Sequence, residues 1–275
     1  MSFLKENFER LKKEGLQETF DVLELAFKKY GIDYYLVGAR ARDLWTDHIS
    51  LGPKRTTEDV DLCIYINDYN QYRALVKDLV ELYGFSRDEK EAYRFYHKGT
   101  VDLIPFGGIE KNGEVFLDNP PISLSVYGTK EAVSNAEVVE RDFRVITLAG
   151  LCILKLIAFY EKPDQRAKDL EDFYFILENY GQIAGDQLFD RVEHEDLITD
   201  EFELPVASAR LLGRQLKSIS LLSPDLSARL IHILTRKLQG FTVAEIDSMY
   251  RAREKGDKLI ERFKLVRAVL QGLND

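Results

Sequence analysis

The sequence predicts an α+β fold, in which a core with a small mixed sheet is followed by a helical carboxy-terminal domain. Short apolar strands alternate with amphipathic helices in the first half of the chain, whereas only helical periodicity continues after Thr147. The composition, with 45% hydrophobic and 31% charged residues, is typical of a globular protein. We place the core in residues 1–140 and the helical domain in residues 141–275.

The individual elements follow from apolar runs, helical spacing and glycine-containing turns. In order, the core has a helical stretch over 3–30, a strand over 34–37, a helix over 40–45, a loop over 46–57, a strand over 59–66, a helix over 69–83, a hairpin of strands 93–96 and 101–104 joined across Lys98-Gly99, a polar stretch through Asn112-Gly113 and Pro120-Pro121, and two short strands between 137 and 146. Helices over 148–160 and 165–180 and three or four more up to residue 272 complete the chain.

Composition and charge exclude several classes of protein. No apolar run reaches the ~18 residues that a membrane-spanning helix needs, and the amino terminus lacks a signal-peptide pattern. The net charge of −9 argues against broad, sequence-independent DNA binding. The only cysteines, Cys63 and Cys152, lie in apolar stretches and are expected to be reduced core residues. These features predict a cytoplasmic protein without a membrane partner.

Three aspartates are the strongest candidates for a catalytic and metal-binding site. Asp59 and Asp61 are two residues apart in a predicted strand, so their side chains leave the same face. Asp102 lies between apolar residues, where an ionised carboxylate is costly without a partner. If the two strands are neighbours, the three carboxylates form a site for two Mg²⁺ ions. The alternative is that Asp59 and Asp61 merely form the solvated face of an antiparallel strand.

A strand–glycine–helix turn at Gly38 precedes these acids. Backbone amides at the start of such a helix bind phosphate, and glycine permits a tight turn and the close approach of a ligand. Followed by a loop and then by Asp59-Val60-Asp61, this turn is more specific than either feature alone.

The order Val37-Gly38-Ala39, Arg55 to Leu62 and Val101-Asp102-Leu103 resembles the DNA polymerase β-like nucleotidyltransferase superfamily. The segments Leu154 to Ala158 and Arg166 to Asp172 further resemble the AbiEii group, whose members are toxins of abortive-infection and toxin–antitoxin systems. The resemblance implies an α/β-type nucleotidyltransferase core that binds a nucleoside triphosphate (NTP) with magnesium. The chain departs from the family pattern at Ala39, where a second glycine or a serine is usual, and in a longer loop around 47–54.

Positively charged side chains are expected to hold the triphosphate. The predicted nucleotide-binding residues are Gly38, Ala39, Arg40, Arg42, Arg55, Thr57, Lys155 and Asp169. Lys155 interrupts an apolar run, and Asp169 on the next helix is placed to pair with it; a lysine that extends from a helical interface into water is the alternative. Arg166, Lys168 and Asp172 are expected on a solvated helix face.

The sequence therefore predicts a magnesium-dependent nucleotidyltransferase in which Asp59, Asp61 and Asp102 bind two metal ions. The acceptor hydroxyl is an RNA or tRNA end, a protein side chain or a small molecule, and the toxin resemblance implies an antitoxin partner. The alternative function is a catalytically degenerate nucleotide-binding or protein-interaction module of the same fold, since Ala39 departs from the family pattern.

Overall fold

The computed structural model describes residues 3–47, 49, 59–140, 142–189, 192–239 and 253–275. The chain packs as two compact units, an amino-terminal unit over 1–147 and a carboxy-terminal unit over 148–275. The first contains both sheets and the second is helical, so the predicted α+β class with a helical carboxy-terminal half is confirmed. No helix in the described ranges combines the length and apolar character that crossing a membrane requires.

Nine strands and five helices make up the described part of the amino-terminal unit. The helices are α1 (Phe3–Leu11), α2 (Gln17–Tyr30), α3 (Gly38–Thr46), α4 (Tyr69–Glu81) and α5 (Thr129–Ala132). The strands are β1 (Tyr34–Val37), β2 (Val60–Ile66), β3 (Ser86–Arg87), β4 (Arg94–Tyr96), β5 (Thr100–Gly107), β6 (Glu114–Leu117), β7 (Ile122–Ser125), β8 (Glu137–Glu140) and β9 (Phe143–Val145).

Seven of the strands form one mixed sheet in the order β3-β4-β5-β2-β1-β9-β8. The central strand β2 is antiparallel to β1 and parallel to β5, and every one of its residues from Val60 to Ile66 pairs with β5. Leu62 and Ile64 on β2 are fully buried, as the apolar content of this strand predicts. The strand that carries Asp61 is therefore the central strand of the sheet.

The long helical stretch predicted at the amino terminus is two helices. A π-helical turn over Lys12–Leu16 separates α1 from α2, because Gly15 adopts a φ of 100° that breaks the α-helical ladder. Both helices still bury their apolar faces, since Phe8 and Phe20 are completely or almost completely buried and both rings contact Phe143 on β9.

The single tryptophan of the chain, Trp45, fixes the far end of α3. Its indole Nε1 donates a hydrogen bond to the carbonyl of Ile146 at 2.8 Å, and Phe3 meets its ring edge-on at a centroid distance of 5.8 Å. These contacts hold the helix that begins at Gly38 against the end of the sheet.

Strands β6 and β7 were not predicted and form a separate two-stranded sheet within the polar stretch. Each strand has only four residues and is bordered by turn residues, so the alternation of exposed Phe116 with buried Val115 and Leu117 gives a weak signal. Strand β3 escaped prediction because it has only two residues.

Helices fill the described part of the carboxy-terminal unit: α6 (Leu148–Glu161), α7 (Ala167–Phe189), a 3₁₀ turn (Val192–Leu197), α8 (Leu204–Ser220), α9 (Pro224–Gln239) and α10 (Arg253–Asn274). Helices α8 and α10 approach closely at Gly213 and Gly272. A Cβ atom added to Gly213 would lie 2.2 Å from the carbonyl oxygen of Val269, so this contact excludes any side chain.

Candidate active site

The sheet register brings two of the predicted acids together. Asp61 on β2 pairs directly with Asp102 on the parallel strand β5, so both side chains leave the same face at neighbouring positions. Asp59 lies immediately before the first residue of β2. Asp102 is 5% exposed, whereas Asp61 is half-buried. The parallel pairing of these two strands is the arrangement that a shared site of the three acids requires.

Gly38 adjoins this acidic edge through the other neighbour of β2. Val37 pairs with Asp61, and Gly38 follows with a φ of 68° as the first residue of α3. A Cβ atom added to Gly38 would lie 2.0 Å from Asp61 Oδ2. The glycine therefore leaves room for the carboxylate of Asp61 beside the start of the helix, where backbone amides and the helix dipole favour an anionic ligand.

Arg94 on β4 is a site residue that the sequence did not predict. Its Nε donates to Asp102 Oδ1 and its Nη2 to Asp102 Oδ2, both at 2.7 Å. The same Nη2 lies 3.6 Å from Asp59 Oδ2. One guanidinium therefore contacts two of the three predicted metal ligands, and it binds Asp102 in the bidentate geometry typical of arginine and carboxylate.

Burial and charge act in opposite directions on this pair. Loss of solvation raises the pKa of Asp102, and the nearby charge of Asp59 adds to the rise, while the hydrogen bonds from Arg94 oppose it. The hydrogen bonds to Asp102 in turn raise the pKa of Arg94 above its usual range. Asp102 is thus a carboxylate whose anionic form depends on an adjacent positive charge.

The predicted phosphate ligands near Gly38 have different surroundings. Arg40 Nη1 donates to Glu14 at 3.0 Å, while its buried Nε has no hydrogen-bond partner among the described residues. Arg42 is 5% exposed and its guanidinium donates to Asp43. Ala39 is half-buried in the first turn of α3. Arg40 is the residue here with an unused donor. The predicted ligands Arg55 and Thr57, and most of the long loop, lie outside the described residues.

Lys155 and Asp169, in the carboxy-terminal unit, form the ion pair expected from the sequence. Lys155 Nζ lies 2.7 Å from Asp169 Oδ1 and 2.8 Å from Asp172 Oδ2, and the lysine side chain is only 15% exposed. Asp172 was expected on a solvated face; it is instead turned toward the buried ammonium group. Although burial alone would lower it, the pKa of Lys155 is raised by its two aspartates.

The chemistry of the acidic edge suits magnesium, which prefers carboxylate oxygens and completes its shell with water and phosphate oxygens. Gly38 keeps the space beside Asp61 free of a side chain. Arg94, however, donates to both oxygens of Asp102, so an entering cation competes with a guanidinium there. Within the described ranges, no group of three or more His, Cys, Asp or Glu side chains is arranged to hold a metal ion. The carboxylate donors are thus of the type that magnesium prefers, but the three are not arranged to hold one ion together, and Asp102 is paired with Arg94.

Comparison with known proteins identifies a family. The family model described as Nucleotidyl transferase AbiEii toxin, Type IV TA system, matches residues 48–225, which is more than half of the chain. This range contains the three aspartates, Arg94 and the Lys155–Asp169 pair, and it begins after Gly38. No curated protein shows a significant match to the chain. The resemblance inferred from the sequence is thereby confirmed.

Proposed function

Because the chain belongs to the AbiEii nucleotidyl transferase toxin family of type IV toxin–antitoxin systems, we propose that it transfers a nucleoside monophosphate from an NTP to an acceptor hydroxyl. The observation that carries this proposal is the register of Asp61 with Asp102 beside the turn at Gly38. Two carboxylates at neighbouring positions, next to a helix start that favours phosphate, are what a metal-assisted phosphoryl transfer requires.

Each residue of the acidic edge has a proposed role. Asp59 and Asp61 hold magnesium, and Asp102 holds a second ion and accepts the proton of the acceptor hydroxyl. Burial raises the pKa of Asp102, which favours proton acceptance by this carboxylate. Gly38 and the amides that follow it bind phosphate, together with Ala39 and the unused donor of Arg40.

In the proposed reaction, the acceptor oxygen forms a bond to the α-phosphorus of the NTP. The bond between that phosphorus and its bridging oxygen breaks, and pyrophosphate leaves with the electron pair. When bound, magnesium neutralises charge on the phosphates and lowers the pKa of the attacking hydroxyl. Arg94, which forms ion pairs with Asp59 and Asp102, keeps a positive charge next to these two carboxylates.

Residues outside the acidic edge are proposed to complete the nucleotide site. These are Arg42, Arg55 and Thr57; for Lys155 and Asp169, in the helical unit, nucleotide binding stays a prediction from the sequence. The candidate acceptors are an RNA or tRNA end, a protein hydroxyl and a small molecule, and an antitoxin is the proposed partner. Toxicity on expression that is relieved by Asp59→Asn would support the role as a toxin. If the variant is as toxic as the wild type, nucleotide transfer is not the cause of the toxicity.

The first test is calorimetric titration with each of the four ribonucleoside triphosphates, with and without magnesium. We expect magnesium to add one tight binding site for one of the triphosphates, and Asp61→Asn to abolish that magnesium-dependent binding. Asp225→Asn is the matched control, since Asp225 is exposed at the start of α9 and belongs to no predicted site. Binding that is equal in Asp61→Asn and the control would contradict the metal site.

The second test is transfer itself, measured as incorporation of a labelled α-phosphate into RNA, protein and small-molecule acceptors. Asp59→Asn and Asp61→Asn are expected to lose transfer together, while Asp225→Asn retains it. Wild-type transfer by the doubly substituted protein would refute the assignment of these acids.

The occupation of Asp102 by Arg94 supports a second candidate function, a nucleotide-binding or protein-interaction module without catalysis. The departure at Ala39 agrees with this alternative. It predicts nucleotide binding without turnover, so the transfer test distinguishes it from the transferase.

A further inference from the structure

Helix α4 and the hairpin of β6 and β7 border a cavity of about 360 Å³ in the amino-terminal unit. This volume is sufficient for a small-molecule ligand. Its polar and aromatic walls come from Tyr69, Tyr72, Arg73, Lys77, Arg87 and Phe116. The described residues predicted for the active site are not among those that line it, so the cavity is a separate feature of the unit.

Two residues that line this cavity each carry a buried polar atom without a hydrogen-bond partner among the described residues. Tyr72 is 6% exposed, and neither its hydroxyl nor Arg87 Nε has a hydrogen-bond partner among the described residues. Arg87 is held in place because its Nη2 donates to the carbonyl oxygens of Asn119 at 2.7 Å and Asp118 at 3.3 Å. Burying an unpaired donor is costly, and two of them in one cavity indicate an acceptor atom supplied by a ligand.

The charge of the cavity indicates an anionic ligand. Three cationic side chains line it against two acidic ones, Glu81 and Asp118. Arg73 is 3.8 Å from Asp118 and Lys77 is 3.8 Å from Glu81, and the side chains of both cations are about two thirds exposed. Such exposed pairs are weak and exchange readily for a bound anion. The exposed pairs carry no net charge together, so Arg87 supplies the net positive charge of the lining.

Aromatic surface at the same cavity indicates a ligand with a planar group. Phe116 is 53% exposed although its neighbours Val115 and Leu117 on β6 are buried. Tyr69 also lines the cavity, and the guanidinium of Arg73 lies 6.0 Å from its ring centroid. Exposed aromatic rings beside cationic groups are the elements with which proteins bind the bases and phosphates of nucleotides.

We propose that this cavity is a second nucleotide site, in which a phosphate accepts hydrogen bonds from Tyr72 and Arg87 and the base packs on Phe116. The site binds without magnesium, because its positive charge comes from arginine and lysine side chains. A free mononucleotide and the terminal nucleotide of an RNA strand share this chemistry. The inference is independent of the transfer reaction at Asp61.

The test uses full-length Asp61→Asn protein in EDTA, so that the metal-dependent site makes no contribution. Calorimetry with the four ribonucleoside 5′-monophosphates is expected to show saturable binding at one site. Tyr72→Phe and Phe116→Ala should each weaken it by about tenfold or more. Phe189→Ala is the matched control, because Phe189 is 59% exposed on α7 and its loss should leave affinity unchanged.

Unchanged affinity in Tyr72→Phe, or no binding of any monophosphate, would overturn the proposal. A short single-stranded RNA that binds at least tenfold more tightly than the monophosphates identifies RNA as the source of the nucleotide. Equal or weaker RNA binding identifies the free nucleotide. Failure of this binding test leaves transfer at Asp61 unaffected, so the two conclusions fail separately.

Thermal unfolding without ligand gives an independent readout. Because the hydroxyl of Tyr72 has no partner, Tyr72→Phe should leave the melting temperature unchanged or raise it. Tyr180→Phe, which removes a buried hydroxyl bonded to Gln215, should lower it. A loss of stability in Tyr72→Phe as large as in Tyr180→Phe would show that Tyr72 is satisfied by the protein itself, and would overturn the proposal.

Discussion

Substitution of Gly38 by alanine tests the link between the glycine turn and the acidic edge. Gly38 has a φ of 68°, and its added Cβ would lie 2.0 Å from Asp61 Oδ2 and 3.0 Å from Asp61 Cβ. The variant therefore suffers backbone strain and also displaces the carboxylate of Asp61. The backbone strain changes stability, whereas the displacement of the carboxylate changes both stability and the rate of transfer.

The backbone strain lowers stability by about 1–2 kcal/mol, because alanine in the left-handed region brings its Cβ close to the following carbonyl. The contact adds ~1 kcal/mol, since Asp61 leaves its preferred rotamer. Relief of the contact moves the carboxylate by about 1 Å, and a shift of that size in a catalytic group costs about a hundredfold in rate. We expect a loss of about 2–3 kcal/mol in unfolding free energy and a hundredfold loss of transfer.

Gly31→Ala separates the two effects. Gly31 has a φ of 63°, close to that of Gly38, but its added Cβ meets nothing within 4 Å. Urea denaturation should show a loss of about 1–2 kcal/mol for this control, and its magnesium-dependent NTP binding and transfer should match the wild type. If Gly38→Ala equals Gly31→Ala in stability and retains wild-type transfer, the added Cβ does not displace Asp61.

Three further predictions concern charged groups. Arg94→Ala should lower the unfolding free energy by about 2 kcal/mol, which is less than for a fully buried pair because Arg94 is 29% exposed. Magnesium bound at Asp102 should restore part of this loss. A melting temperature of the variant that does not change with magnesium would contradict this prediction. Lys155→Met should lower the unfolding free energy by about 3 kcal/mol at neutral pH, and part of this loss should be regained in acid. Asp169→Asn should lower it less, because Asp172 still pairs with the lysine. Equal losses for the two variants in urea denaturation would contradict the pairing of Lys155 with both aspartates. The pKa of Asp88 is lowered to about 2 by a tyrosine hydroxyl and two backbone amides, so the stability that it contributes is present above the ordinary pKa of 3.8 and is lost as the pH falls toward 2. The difference in unfolding free energy between the wild type and Asp88→Asn should shrink over that range, and a difference independent of pH would show that Asp88 is unperturbed.

The sequence predicts the elements that carry the acids because their signals are local. The strand around Asp61 is apolar and β-branched, and the turn at Gly38 separates a strand from a helix, so both elements were predicted within one or two residues. The pairing of Lys155 with Asp169 was also predictable, since a lysine inside an apolar helix needs a partner.

Arg94 escaped prediction because its position depends on hairpin register. A two-residue loop at Lys98-Gly99 would place Phe95 opposite Asp102. The structure has a three-residue loop, with Tyr96 opposite Thr100 and Lys98 at a φ of 53°, so Arg94 is the residue opposite Asp102. A shift of one residue exchanges the two faces of a strand, and turn residues alone do not determine it.

The position of Asp172 and the cavity beside α4 depend on contacts between elements distant in sequence. The spacing of Asp172 on α7 suits a solvated face equally well, and only the packing of α6 against α7 brings it to Lys155. Arg87 meets the carbonyls of Asp118 and Asn119 from about thirty residues away. No local pattern contains this information.

The location of the single tryptophan has a practical consequence for spectroscopy. Trp45 lies on the helix that starts at Gly38, bonded to Ile146 and edge-on to Phe3. Its indole fluorescence is therefore an intrinsic signal from α3, the helix whose first residues are proposed to bind phosphate. A change in emission wavelength or quenching on titration follows that helix directly, and since the chain has no second indole, the signal needs neither deconvolution nor a chemical label.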